Sequence, residues 1–353
     1  MVLNRRTIIE ILSRYLRVNA LLESQLPMKR ISHFVWLAAT GFLALAAANS
    51  NAATKVAKST AASKPASAST TVARDPYVGA IVMDQATGRV LFEDQADAKG
   101  YPASTLKLMD LLIILEKIER KEISLQDQVP VSAKASRTGG SQVWLADKEV
   151  FTVDELLYAL MVQSANDSAV ALAEKVAGST EAFVVLMNQR AKELGMNNTV
   201  FSSVHGLPPD KKMGQVYDVT TARDFARLCL EVLKHPDALR YTSTKERPFR
   251  PNAGNKTVVM RNHNHLLGTL NGCDGLKTGY IASAGYSIEA TAYRNGQRVV
   301  VVILDSLDRR VRDAKAAELI NKGFAALSPA TPATTAGSTI TKADTAPAAK
   351  VRR

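Results

Sequence analysis

The chain has 353 residues, 46% apolar and 22% charged, with two cysteines, Cys229 and Cys273. That balance describes a soluble globular protein rather than a disulfide scaffold or a coiled coil. The net charge of +12 admits a nucleic-acid partner, but the basic residues are scattered rather than packed into an aromatic-interleaved stripe, so nonspecific attraction to an anionic polymer is the milder inference.

Residues 28–53 have the layout of a secretory signal. Met28-Lys29-Arg30 is basic, residues 34–48 are uncharged and mostly apolar, and Asn51-Ala52-Ala53 supplies small residues. The apolar run is shorter than the roughly 20 residues that cross a bilayer, so export of a soluble protein, periplasmic or otherwise extracytoplasmic, is expected, with a mature chain starting near Ala53. Residues 1–27 are charged and mixed and have no place in such a signal; they read as an extension ahead of a true start at Met28. Export also argues against nucleic acid. In an oxidising compartment Cys229 and Cys273 can pair, yet nothing in their spacing demands it, and two buried thiols is the other reading.

Residues 54–73 are mostly Ala, Ser, Thr and Lys, and residues 328–353 repeat that flavour with Ser328-Pro329-Ala330-Thr331-Pro332. Neither stretch can bury a core, so both are expected to be disordered. Residues 74–327 between them suffice for one sizeable domain. It opens with β-rich runs at 78–83 and 89–93, separated by Gln85-Ala86-Thr87-Gly88 as a hairpin. Residues 104–120, 152–163, 168–177, 179–194 and 220–233 then show apolar positions at helical spacing. Thr152-Val153-Asp154-Glu155 is a capping box, and Gly178 and Gly195 sit where helices should stop. At the end, residues 285–294 and 297–306 flank the two-residue turn Asn295-Gly296, and a helix is predicted over about 309–326. The predicted fold is α/β of the α+β type: an antiparallel sheet of N- and C-terminal strands, flanked by helices, with a helical insertion.

Three short motifs carry the chemistry: Ser104-Thr105-Leu106-Lys107, Ser164-Ala165-Asn166 and Lys277-Thr278-Gly279. A hydroxyl attacks poorly at neutral pH, so it needs an adjacent base, a proton relay and a cation for an anionic substrate end. Ser104 begins a helix, beside unpaired N–H groups. Lys107 lies three residues on, on the same face, within a nearly all-apolar run that can desolvate it and lower its pKa. Asp110, if it faced Lys107, would favour the ammonium and weaken that base. Ser164 and Asn166 lie between two helices, where the hydroxyl can pass a proton to a leaving amine and the amide can bind a substrate carbonyl. Lys277-Thr278-Gly279 reads as an edge strand against which a substrate backbone can lie, with Lys277 and Thr278 gripping a carboxylate. The Tyr280 N–H can join that of Ser104 around an oxyanion. Taken singly, each motif also has a bland reading as a helix start, a cap or a loop lysine.

Together these residues resemble the D-alanyl-D-alanine carboxypeptidase family, the penicillin-binding serine DD-peptidases of low molecular mass with a serine β-lactamase/DD-peptidase-like fold. The resemblance spans about residues 75–326. It also includes Asp167-Ser168-Ala169, Leu194-Gly195-Met196-Asn197-Asn198-Thr199-Val200-Phe201, His205-Gly206-Leu207, Thr221-Ala222-Arg223-Asp224 and Asp274-Gly275-Leu276. It implies Ser104 as acyl-enzyme nucleophile, Lys107 as its proton acceptor, Ser164 as shuttle, and Lys277 with Thr278 as carboxylate clamp. It further implies peptidoglycan stem peptides as substrate, removal of a terminal D-alanine, β-lactams as covalent inhibitors, and no metal or organic cofactor. Two positions depart from the pattern: Ala165, where glycine is commoner, and Asp110, where a hydroxyl residue is usual. The tail after the last helix lacks the apolar periodicity of an interfacial anchor, so no stable membrane anchor is expected. The rivals are a DD-endopeptidase using the same residues, a non-catalytic wall-binding protein, and a class A β-lactamase, whose deacylating pair Glu193 and Asn197 mimic in spacing. Glu193 is expected on the surface, and His205 and Asp224 in packing.

Overall fold

The apolar run Val299–Leu304 is buried on every residue because both faces of its strand are covered. The computed structural model describes residues 72–250, 254 and 257–327; the expected signal, leader extension and C-terminal tail lie outside the described residues. Strands β1 (Gly79–Asp84), β2 (Val90–Asp94), β3 (Cys273–Ile281), β4 (Gly285–Arg294) and β5 (Gln297–Ser306) form one antiparallel sheet in the order β2-β1-β5-β4-β3. Val299, Val301 and Ile303 face one layer with Leu319 and Ile320, while Val300, Val302 and Leu304 face the larger core. This is why the run reads as continuously apolar rather than alternating. The first and last strands of the domain pair directly, Gly79 opposite Leu304 and Asp84 opposite Val299. The motif strand β3 lies at one edge.

The helical insertion fills the other face of the sheet. Its centre is α1 (Lys107–Glu119), in which every residue from Lys107 to Leu115 is buried. Truncating one of its core leucines to alanine would cost about 2–5 kcal/mol. Around it stand α2 (Val153–Val162), α3 (Asn166–Ala177), α4 (Thr180–Glu193) and α5 (Ala222–Val232). Helix α6 (Arg309–Leu327) covers the opposite face. The capping box closes as expected: Thr152 Oγ1 accepts from the Glu155 N–H, and the Glu155 carboxylate accepts from the Thr152 N–H at 3.0 Å.

The structure moves several boundaries. Val72 and Ala73, assigned to the linker, belong to the fold: the Val72 N–H donates to Ser283 O at 2.9 Å. The helix predicted from Ser104 begins as a 3-10 turn, Ala103–Leu106, and becomes α-helical only at Lys107. The one predicted from residue 220 starts at Ala222, because Thr220 and Thr221 pair with Gly100 and Lys99 as a short strand. The helix predicted from residue 168 starts two residues earlier, at Asn166. Cys229 and Cys273 are both free thiols.

Candidate active site

Three structural units converge on one cleft of about 320 Å³, lined by Ser104, Ser141, Ser164, Thr278, Gly279 and Arg312 among others. The 3-10 turn carries Ser104, the junction between α2 and α3 carries Ser164, and the edge strand β3 carries Thr278 and Gly279. Gly279 is needed for the convergence. A Cβ there would lie 2.7 Å from the Pro102 carbonyl oxygen and 3.0 Å from the Thr105 methyl, so any side chain would push β3 away from the turn bearing Ser104.

Lys107 is fully buried, and its Nζ has three partners: Asn166 Oδ1 at 2.8 Å, the His205 carbonyl at 3.0 Å and Ser104 Oγ at 3.0 Å. Two of these are pure acceptors. A neutral amine has two N–H groups and one lone pair, so with both hydrogens given to the carbonyls the lone pair is left for the Ser104 O–H. Burial pushes the lysine pKa down to about 7; the charges of Asp110, Asp218 and Asp167 oppose that shift but do not cancel it. Desolvation therefore wins over Coulomb attraction. Asp110 sits beside Lys107 as the sequence allowed, yet neither carboxylate oxygen has a hydrogen-bond partner, and burial pushes its pKa well up. Burial thus works against an ionised carboxylate at Asp110, and with it against the attraction that would keep Lys107 protonated.

Ser164 stands at φ +60, outside helical geometry, with its side chain buried. Lys277 Nζ donates to Ser164 Oγ at 3.0 Å and to the Thr278 carbonyl at 2.9 Å. Burial is the main cause that holds the Lys277 pKa low, and the nearby charge of Lys107 adds to it. Asn166 makes contacts beyond those the sequence suggests: its Oδ1 accepts from Lys107 and its Nδ2 donates to the Gly139 carbonyl at 2.8 Å, so the amide also fixes the Lys107 amine, and Nδ2 carries a second N–H besides. Tyr280 is exposed and stacks on Tyr286 at 4.4 Å.

Sequence reasoning missed the groups that aim these side chains. The Asp218 carboxylate accepts from the N–H groups of Ser202 and Ser203 at 2.6 and 2.9 Å, and from Ser203 Oγ, which in turn accepts from the Gly206 N–H. This order places the His205 carbonyl on Lys107. Gly206 backs onto the turn bearing Ser104 so closely that a Cβ would meet Ala103 O at 2.1 Å. Asp167 accepts from the N–H groups of Val143 and Leu145 and so holds the segment whose Ser141 lines the cleft. Arg312, 2% exposed, donates to the Ser287 carbonyl at 3.1 Å and to Asp313, and also lines the cleft. The remaining watched residues lie elsewhere. Asp224 accepts from the Asn198 N–H, Thr199 Oγ1 and Arg227, a packing role. Glu193 is exposed and pairs with Arg190 at 3.2 Å, and Asn197 is exposed too, so neither joins the cleft as a second base.

Residues 62–307 match the family model described as D-alanyl-D-alanine carboxypeptidase. Among curated relatives, the chain is 38% identical over 259 residues to D-alanyl-D-alanine carboxypeptidase DacC of Escherichia coli, covering 71% of this chain and 62% of that one. It is 34% identical over 245 residues to DacF of Bacillus subtilis, covering 69% and 61%. The chain thus spans about three-fifths of the length of these relatives. Among solved structures, penicillin-binding protein D2 of Listeria monocytogenes in its ampicillin-bound form superposes with a TM-score of 0.63 at 31% identity, covering 70% of this chain and 98% of that one. The carboxypeptidase DacD of Francisella tularensis gives 0.64 at 28% identity, covering 75% and 73%.

Proposed function

The chain belongs to the D-alanyl-D-alanine carboxypeptidase family, and from that premise we propose that it is an exported serine DD-peptidase that removes the terminal D-alanine from peptidoglycan stem pentapeptides. The observation that carries the reading is the buried Lys107 amine, with its two other partners fixed, 3.0 Å from Ser104 Oγ. In this reading Lys107 takes the Ser104 proton as Oγ bonds to the carbonyl carbon of the scissile peptide. The oxyanion forms near the N–H groups of Ser104 and Tyr280. As the C–N bond breaks, Ser164 gives its proton to the departing D-alanine nitrogen and takes one from Lys277, whose Nζ donates to its Oγ. An acyl-enzyme remains, which water hydrolyses to restore Ser104.

The terminal carboxylate of the substrate needs a cation. Lys277 turns its amine inward, toward Ser164 and the Thr278 carbonyl. Arg312 lines the same cleft and keeps its charge, so the clamp is assigned to Thr278 and Arg312, with Lys277 behind them as relay. The peptide backbone of the substrate lies along the free edge of β3. Penicillins acylate Ser104 by the same attack. Residues 28–53 direct the chain out of the cytoplasm, and residues 74–327, extended by Val72 and Ala73, form the catalytic domain.

The test is covalent labelling by a fluorescent penicillin of the parent and of Ser104→Ala. A band in the parent that disappears in the variant is expected; no band in the parent overturns the reading. Incubation with a pentapeptide and a crosslinked muropeptide then separates the carboxypeptidase from a DD-endopeptidase, since only the former frees D-alanine while leaving crosslinks intact.

A further inference from the structure

Trp144 holds its side chain out in solvent, 62% exposed, from a backbone at φ +54. A bulky residue in that region is a genuine outlier, and such strain persists only where surrounding contacts impose it. Here they do. On one side Asp167 accepts from the N–H groups of Val143 and Leu145; on the other, Arg250 donates to the Val143 carbonyl at 2.9 Å and the Trp144 carbonyl at 3.1 Å. Arg250 itself stands at φ +53, with its guanidinium over the rings of Phe151 and Phe249. Left-handed non-glycine residues also flank the catalytic chemistry, at Ala103 and Ser164.

The indole lines a groove of about 520 Å³ with Val258, Val259, Arg250 and Glu149. Arg250 and Glu149 form an ion pair. Their charges cancel, so the groove offers an apolar wall with a polar rim and no net charge, which suits a neutral occupant bearing hydroxyl and amide groups. Two segments join the groove to the catalytic cleft. The one carrying Trp144 supplies Ser141 to the cleft, and strand Val258–Arg261 runs on to His263, which lines it as well.

We propose that Trp144 is a stacking platform for the glycan strand of the wall polymer, an N-acetylated pyranose lying on the indole face beside Val258 and Val259 while the attached peptide enters the cleft. An indole offers a large, rigid apolar face with little conformational entropy to lose, and a pyranose offers a matching face of C–H bonds. The choice of polymer rests on the DD-peptidase reading; the platform does not.

The chain has two tryptophans, Trp36 and Trp144, so full-length protein carrying Trp36→Phe reports on Trp144 alone. Titration with peptide-free, N-acetylated glycan strands is expected to change its fluorescence saturably. In sedimentation with insoluble peptide-free glycan, Trp144→Gly, which relieves the backbone strain, should bind at least about fivefold more weakly, and Trp144→Phe should fall between. Penicillin labelling of Ser104 should stay within about twofold of the parent, because Trp144 touches no group of the acylation machinery. Unchanged fluorescence at high glycan concentration, equal sedimentation of Trp144→Gly, or a response to free stem peptide alone would overturn the proposal. Loss of penicillin labelling in the parent would instead strike the catalytic reading, leaving the glycan result to stand by itself.

Discussion

Ser164 and Lys277 are tied by a 3.0 Å hydrogen bond from Nζ to Oγ, which bridges the helical insertion and the edge strand of the sheet. Ser164 is therefore oriented by a residue 113 positions away in sequence. In the proposed reaction, removing either partner breaks the same proton path. Ser164→Ala and Lys277→Ala are each expected to slow acylation by about 10²–10⁴-fold, the usual worth of a positioned acid or base. The double variant should lose little more than the worse single one, because groups acting as a unit are not additive. Stopped-flow acylation by a chromogenic cephalosporin gives all three rates; additive losses in logarithm would show that the two side chains act independently.

In the proposed reaction Lys107 must be unprotonated to accept the Ser104 proton, and burial pushes its pKa down to about 7. The acylation rate should then rise with pH through about 7 and level off above it. At pH 6 roughly a tenth of the plateau rate remains, since one pH unit below the pKa leaves about one amine in eleven neutral. A β-lactam is the right probe, because its carboxylate stays ionised throughout. A rate that is flat from pH 5.5 to 9 would mean that the lysine does not titrate in this range.

Asp110 carries a different pH signature. Its folded-state pKa is raised by burial, whereas in the unfolded chain it ionises near 3.8. The folded state binds the extra proton, so below the unfolded value the group costs nothing, and the cost grows as pH rises toward the folded value. Asp110→Asn removes that cost but keeps the shape. Its melting temperature, relative to the parent, should therefore be higher at pH 8 than at pH 4, by roughly 2–8 °C if 1–2 kcal/mol is recovered. A difference that does not change with pH in scanning calorimetry would contradict the assignment.

The parts of the site that are short in sequence were legible in it. The three-residue interval from Ser104 to Lys107, the alternation and turn around Asn295-Gly296, and the apolar run of α1 each announce their geometry, because the physics that fixes them is local. The groups that aim the site are long-range, and no spacing reveals them. Asp218 acts by ordering the backbone of residues 202–206, and the atom that reaches Lys107 is the His205 carbonyl, which any residue type carries. Asn166 was legible as a site residue, but its bond to the Gly139 carbonyl was not, since that depends on where Gly139 comes to lie. Thr220 and Thr221 read as the start of a helix until Lys99 and Gly100 pair with them. Arg312 left a usable trace. It shares the buried stripe of α6 with Ala316, Leu319, Ile320 and Gly323, and a charged residue on an apolar stripe calls for a partner.

That Arg312 sits in the cleft yields the sharpest test of how the substrate is held. Its guanidinium is fastened by the Ser287 carbonyl and by the Asp313 carboxylate, which offsets part of its charge, so it offers N–H donors whose position is already fixed before a ligand arrives. A charge-assisted hydrogen bond is worth about 1.5–3 kcal/mol, which corresponds to roughly 10- to 150-fold in binding or rate. Arg312→Ala should lower kcat/KM for a peptide ending in a free carboxylate by that factor, with most of the loss in KM, since the contact exists before and during attack. A substrate whose C-terminus is amidated gains nothing from the arginine and should be cut equally slowly by parent and variant. Arg312→Lys keeps charge but not the planar fork, and should recover only part of the loss. Equal losses on the free and amidated peptides would show that Arg312 supports the sheet through Ser287 rather than gripping the carboxylate.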